Sequence, residues 1–239
     1  MLLLSKPAVS TLYVFMDITP LNRSRLRYLA LLGAVIGWST VLVRFGLTVQ
    51  TSLVDGNGWG YAIVLYLGYF TILTNWCVTL ALTARLLPKR FALQQFLTHP
   101  QVISAIATAI AIVCIVYFLL LRQLWNPQGL ALVLDTTLHY VMPALFLLYW
   151  WLAIPRRTVQ LRNIPRWLVY PLGYLVYTLI RGEITGLYPY PFIDVDTLGY
   201  GRALLNSVGI LIGFMAIAAL LVGINTSKPS PPSTQEKVL

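Results

Sequence analysis

Five stretches of this chain, Tyr28–Val49, Tyr61–Leu87, Val102–Leu121, Ala131–Ala153 and Ala203–Ile224, are apolar over lengths that would cross a lipid bilayer. Crossing takes about 20 predominantly apolar residues in a helix. In hydrocarbon no water satisfies backbone amides and carbonyls, so such stretches must close their hydrogen bonds internally as helices. The pattern therefore predicts an all-α fold, a polytopic membrane helix bundle. A sixth candidate starts at Trp167. Its clean apolar stretch ends at Ile180, and extending it to about Tyr188 draws Arg181 and Glu183 into the outer part of the membrane. That extension is adopted here because an even number of spans, six transmembrane helices, agrees with the charge pattern.

Charge sets the orientation. Lys6, Arg23, Arg25 and Arg27 precede the first span, and Arg85, Lys89 and Arg90 lie at or just beyond the end of the second. Arg156, Arg157, Arg162 and Arg166 follow the fourth, and Lys228 and Lys237 follow the last. The opposite side carries Arg122, Arg181 and Arg202. Basic residues stay on the cytoplasmic side of short loops, so both termini are expected to be cytoplasmic. The same rule accounts for the net charge of +10 without invoking nucleic acid. Charged residues make up 10% of the chain, against roughly 25% in a soluble domain, which excludes a water-soluble globular enzyme.

The expected organisation is a cytoplasmic N-terminal segment (1–25), a six-span transmembrane domain (26–225) and a disordered, proline-containing cytoplasmic tail (226–239). Met1 to Leu4 is too short for a signal-peptide core, so the first span is expected to act as an uncleaved anchor. Cys77 and Cys114 lie within apolar spans with neither disulfide nor metal spacing, and no cofactor is expected. There is no internal repeat of the kind many transporters carry.

Against this apolar background the ionisable residues stand out. His139 lies within the fourth span, with Asp135 one turn before it and Pro143 one turn after. Ionisable groups in hydrocarbon require partners or a purpose. At about 1.5 Å per residue, His139 falls about 12 Å below the outer end of its span and Thr71 about 15 Å below the outer end of span two. Thr74, Asn75, Arg44, Arg181 and Glu183 also fall in the outer half, which predicts a polar pocket there. Asp135 and His139 share a helix face, so the carboxylate could orient the imidazole as a base for a threonine hydroxyl. Either Thr71 or Thr74 could be that threonine, and Asn75 or carbonyls freed by Pro143 could stabilise an oxyanion. Alternatively, Arg44 and Arg181 pair with Asp135 and Glu183, and Asn75 is interhelical glue. Tyr188, Tyr190 and Phe192 read as an interfacial aromatic belt, Trp150 and Trp151 as its cytoplasmic counterpart, and Asp194 and Asp196 as turn or cap residues.

Three segments carry a family resemblance: Tyr69-Phe70-Thr71-Ile72-Leu73-Thr74-Asn75, Leu138-His139-Tyr140-Val141-Met142-Pro143, and Gly173 through Arg181-Gly182-Glu183 to Tyr188-Pro189-Tyr190-Pro191-Phe192 and Val195. Over about residues 25 to 225 the chain resembles the proteobacterial six-transmembrane integral membrane proteins. These are in turn similar to the eukaryotic androgen-induced and androgen-dependent transmembrane proteins. The resemblance implies a multi-pass protein of the bacterial inner membrane. It further implies an intramembrane hydrolase of fatty acid esters of hydroxy fatty acids, with Thr71 and His139 as catalytic residues and a membrane lipid ester as partner. Two other readings fit the composition: a proton-coupled transporter using Asp135, His139, Arg44 and Glu183, and a non-catalytic lipid-binding membrane protein.

Overall fold

A computed structural model describes residues 20–88 and 91–228 of the chain. The expected disordered tail falls almost wholly outside the described residues, as does most of the N-terminal segment. Among the described residues the fold is helical, without strands. In chain order the helices are α1 (Pro20–Val54), α2 (Trp59–Leu67), α3 (Phe70–Leu86), α4 (Ala92–Leu97), α5 (Pro100–Val116), α6 (Gly129–Thr136), α7 (Met142–Ala153), α8 (Ile164–Trp167), α9 (Val169–Thr185) and α10 (Val195–Ser227). A π turn, Tyr117–Leu121, extends α5, and a second, Thr137–Val141, joins α6 to α7 in one continuous helix.

Four helices are long and apolar enough to cross a membrane: Ser24–Val54 within α1, Pro100–Leu121, Gly129–Ala153 and α10. The α2–α3 pair makes a fifth if taken as one span, bent by 79°. Here the structure departs from the uninterrupted helix expected over Tyr61–Leu87. The sixth candidate, α9, has 17 residues, about 26 Å of helix, short of the roughly 30 Å hydrocarbon thickness.

Helix packing follows the small residues. Ala30, Gly33, Ala34 and Gly37 form one face of α1. A Cβ on Gly37 would overlap the Thr79 hydroxyl of α3, and one on Gly33 would come within 2.6 Å of Leu82 and Leu145. Small residues spaced this way let helix backbones approach closely where lipid supplies no hydrophobic drive. The core they close includes Val78, Leu82, Ile103, Ile110, Met142, Phe146 and Phe214. Outward-facing positions are apolar instead, among them Leu31, Leu32, Val35 and Leu42 on α1 and Leu205, Val208 and Ile212 on α10. Trp150 is buried between helices, and its indole N–H donates to Ser104 Oγ at 2.8 Å. Asp194 caps α10, accepting from the Thr197 N–H.

Candidate active site

The break between α2 and α3 organises the site. A helix end leaves its last carbonyls without partners, which apolar surroundings do not tolerate. Side chains of α9 supply them. Tyr174 donates to Gly68 O at 2.9 Å, Tyr177 to Leu67 O at 3.4 Å, and Arg181 Nη1 to Val64 O at 2.9 Å. Arg181 also donates to Leu187 O, and it is buried. Its guanidinium occupies the space where a Cβ on residue 68 would stand, so only glycine fits there. Arg181 is thus a brace for the break rather than a partner for a carboxylate.

Beyond the break α3 begins afresh at Phe70, and Thr71 is its second residue. Thr71 is therefore at a helix N-terminus, where first-turn N–H groups have no helical acceptor. Its N–H donates to the Tyr190 hydroxyl at 3.3 Å, and its Oγ1 lies 3.4 Å from that hydroxyl and 3.4 Å from His139 Nε2. Thr74, by contrast, faces α9, its hydroxyl 2.9 Å from Tyr170 OH. Asn75 ties the two halves of the site together: its amide donates to Thr71 O at 2.9 Å and to Leu138 O at 3.3 Å. With both amide donors engaged, Asn75 is not free to hold an oxyanion.

His139 lies in the second π turn, closed by Met142 N–H donating to Thr137 O. Pro143 has no N–H to return to the His139 carbonyl, so α-helical bonding lapses there and the backbone widens. The imidazole Nδ1 lies 2.8 Å from the carbonyl oxygen of Asp135 and 3.3 Å from its Oδ1. A carbonyl only accepts, so Nδ1 carries the proton and Nε2 presents its lone pair to Thr71. Tyr117, from the other π turn, stacks on the imidazole with ring centroids 3.8 Å apart and an interplanar angle of 16°. Its hydroxyl donates to the Asp135 carboxylate. Neither Arg44 nor Arg181 comes within ion-pairing distance of Asp135 or Glu183. Glu183 is exposed and accepts from Tyr200 at 2.8 Å.

Two cavities meet at Thr71. One, of about 170 Å³, is lined by Arg44, Asp135, His139 and Trp125 among others. The other, of about 80 Å³, is walled mainly by apolar side chains of α5, α9 and α10, including Val113, Leu175, Leu211 and Phe214. Thr71, Leu121 and Tyr190 border both. Thr74, Asn75, Arg181 and Glu183 line neither. The Arg44 guanidinium has no hydrogen-bond or ion-pair partner among the described residues and borders the polar cavity. No group of three or more His, Cys, Asp or Glu side chains among the described residues is arranged to hold a metal ion.

Sequence reasoning did not single out two members of this cluster. Tyr117 is one phenol in an apolar run, and only its position in the fold links it to Asp135. Tyr190, expected in an aromatic belt, is buried, with its ring stacked on Phe192 and its hydroxyl on Thr71. Comparison with models of protein families, with curated proteins and with solved structures finds no significant match to this chain.

Proposed function

We propose that the chain is a six-span inner-membrane protein with cytoplasmic termini that hydrolyses fatty acyl esters within the bilayer, using Thr71 as nucleophile and His139 as base. The observation carrying this reading is the 3.4 Å approach of Thr71 Oγ1 to His139 Nε2, with the opposite ring nitrogen held by an acceptor. Threonine is a weak nucleophile until a base takes its proton. His139 Nε2 takes it as Oγ1 adds to the acyl carbon. The tetrahedral adduct then expels the alcohol oxygen, which receives that proton from His139. Water, deprotonated by the same nitrogen, attacks the acyl-threonine, and its proton returns to Thr71 as the fatty acid leaves. Asp135 orients the ring and favours the imidazolium.

The flanking cavities suit the two ends of such a substrate. The apolar lining of one suits the acyl carbons next to the ester, and the unpaired Arg44 on the polar side suits the carboxylate of a hydroxy fatty acid. The resemblance of the Thr71, His139 and Tyr-Pro-Phe segments to the bacterial six-transmembrane proteins, and through them to the eukaryotic intramembrane hydrolases, favours the same chemistry.

The test uses purified full-length protein, a fluorophosphonate probe and a panel of acyl esters with and without a free carboxylate. Labelling at Thr71 is expected. Thr71→Ala and His139→Ala should each lower turnover by at least about 10³-fold, as loss of a triad member does. Esters bearing a carboxylate should be preferred, and Arg44→Gln should remove the preference. Unchanged turnover in both alanine variants would sink the proposal.

A further inference from the structure

We propose that Tyr190 is a catalytic residue whose hydroxyl, with the backbone N–H of Thr71, forms the oxyanion hole for the adduct on Thr71. The inference rests on the hydrolase reading above, and its argument is geometric.

An ester carbonyl attacked by Thr71 Oγ1 places a developing negative charge on an oxygen bonded to the same carbon as Oγ1. Donors serving it must stand beside Oγ1, about 2.7–3.1 Å from where that oxygen arrives. Two donors converge there. The Thr71 N–H is one of the first-turn amides of α3 without a helical acceptor, and it points at the Tyr190 hydroxyl, 3.3 Å away. The Tyr190 hydroxyl itself lies 3.4 Å from Oγ1. The two are bonded to each other, so an incoming carbonyl oxygen stands beside the pair: it takes the N–H from the phenol oxygen and receives the phenol O–H as a second bond. The start of α3 adds the positive end of a 17-residue helix dipole. Asn75, the side-chain amide nearest by sequence, is committed to Thr71 O and Leu138 O.

The phenol is suited to the task. Tyr190 is buried and borders both cavities, so it meets the ester where acyl and alcohol portions join. Burial pushes its hydroxyl up to about 12, which keeps it protonated and donating. It gives a hydrogen bond and no proton, so the proton inventory of the reaction is unchanged. The rigid Tyr188-Pro189-Tyr190-Pro191-Phe192 segment carries it, with its ring stacked on Phe192 at 5.2 Å and edge-on to Tyr69 at 5.8 Å.

The experiment measures single-turnover acylation by a chromogenic acyl ester in wild-type, Thr71→Ala and Tyr190→Phe proteins, full length in detergent or nanodiscs. Tyr190→Phe is expected to slow acylation by about 10²–10³-fold, the usual cost of one oxyanion donor, with KM little changed. A long-chain alkyl trifluoromethyl ketone, which forms a tetrahedral adduct, should lose affinity by a similar factor, while the matching alcohol binds as before. Should phenylalanine loosen the segment, 3-fluorotyrosine at position 190 keeps the ring and makes the hydroxyl a stronger donor. Acylation should then rise, and an unchanged rate counts against the proposal. Wild-type acylation in Tyr190→Phe beside an inactive Thr71→Ala removes Tyr190 from the chemistry and leaves the hydrolase reading standing. Activity that survives Thr71→Ala, or a wild-type protein that neither reacts nor takes label, overturns both.

Discussion

Because His139 Nδ1 lies 2.8 Å from a main-chain carbonyl, the tautomer of the ring depends on the backbone as well as on the carboxylate beside it. In hydrolases whose carboxylate alone fixes the tautomer, its amide replacement costs about 10⁴-fold. Here Asp135→Asn leaves the carbonyl in place. The expected loss is about 10- to 100-fold in acylation rate, the worth of a hydrogen bond to a charged group. A drop as large as that of His139→Ala would mean that the carboxylate, not the carbonyl, sets the proton position. At this scale the sequence is informative about the pair itself: an i, i+4 Asp/His couple in an apolar run already implies a shared face. It is silent on Tyr117, because a stacking and hydrogen-bonding partner 18 residues away is selected by helix packing and not by spacing.

The element that decides the site is the broken second span. An unbroken helix would bury the N–H of Thr71 in an i→i−4 bond and deny it to any ligand. The break turns it instead to the Tyr190 hydroxyl, a partner a ligand can replace, and α9 covers the exposed carbonyls on the other side. Gly68→Ala tests this directly, since the new methyl would overlap the Arg181 guanidinium. Displacing that brace should cost about 1–3 kcal/mol, as overpacking does, seen as a lower unfolding midpoint in detergent. Turnover should fall further than the stability loss explains, because a 1 Å misplacement of reacting groups can cost about 10²-fold. An alanine variant with wild-type activity and midpoint would show that the geometry at Gly68 is not required. Hydropathy could not reveal the break, since Leu67-Gly68-Tyr69-Phe70 carries no charge or proline and a lone glycine is tolerated in membrane helices. The π turn at His139 was half legible: Pro143 announces a disturbed helix, but not that the chain widens into a π turn instead of kinking.

For the molecule as a whole, the topology proposed above rests on the asymmetry of basic residues and is open to a direct test. In it the 55–58 connection faces outward and the 154–163 connection, with Arg156, Arg157 and Arg162, faces the cytoplasm. Alkaline-phosphatase fusions after residue 56 should be active and those after residue 158 inactive. The reverse pattern would place the Thr71–His139 site in the inner half of the bilayer. What the sequence alone determined is the medium and the class of structure. Runs of about 20 apolar residues leave the backbone no option but helices. Charge placement gives those helices an expected orientation, and the scarcity of ionisable groups marks His139 and Asp135 as worth explaining. What only the tertiary structure decided is which hydroxyl faces the imidazole, which arginine is a brace and which is unpaired, and that a tyrosine from the Pro-rich loop reaches Thr71. Those outcomes depend on where separate helices break and how their side chains interlock. That is a matter of contacts between residues as much as 119 positions apart, which no local pattern encodes.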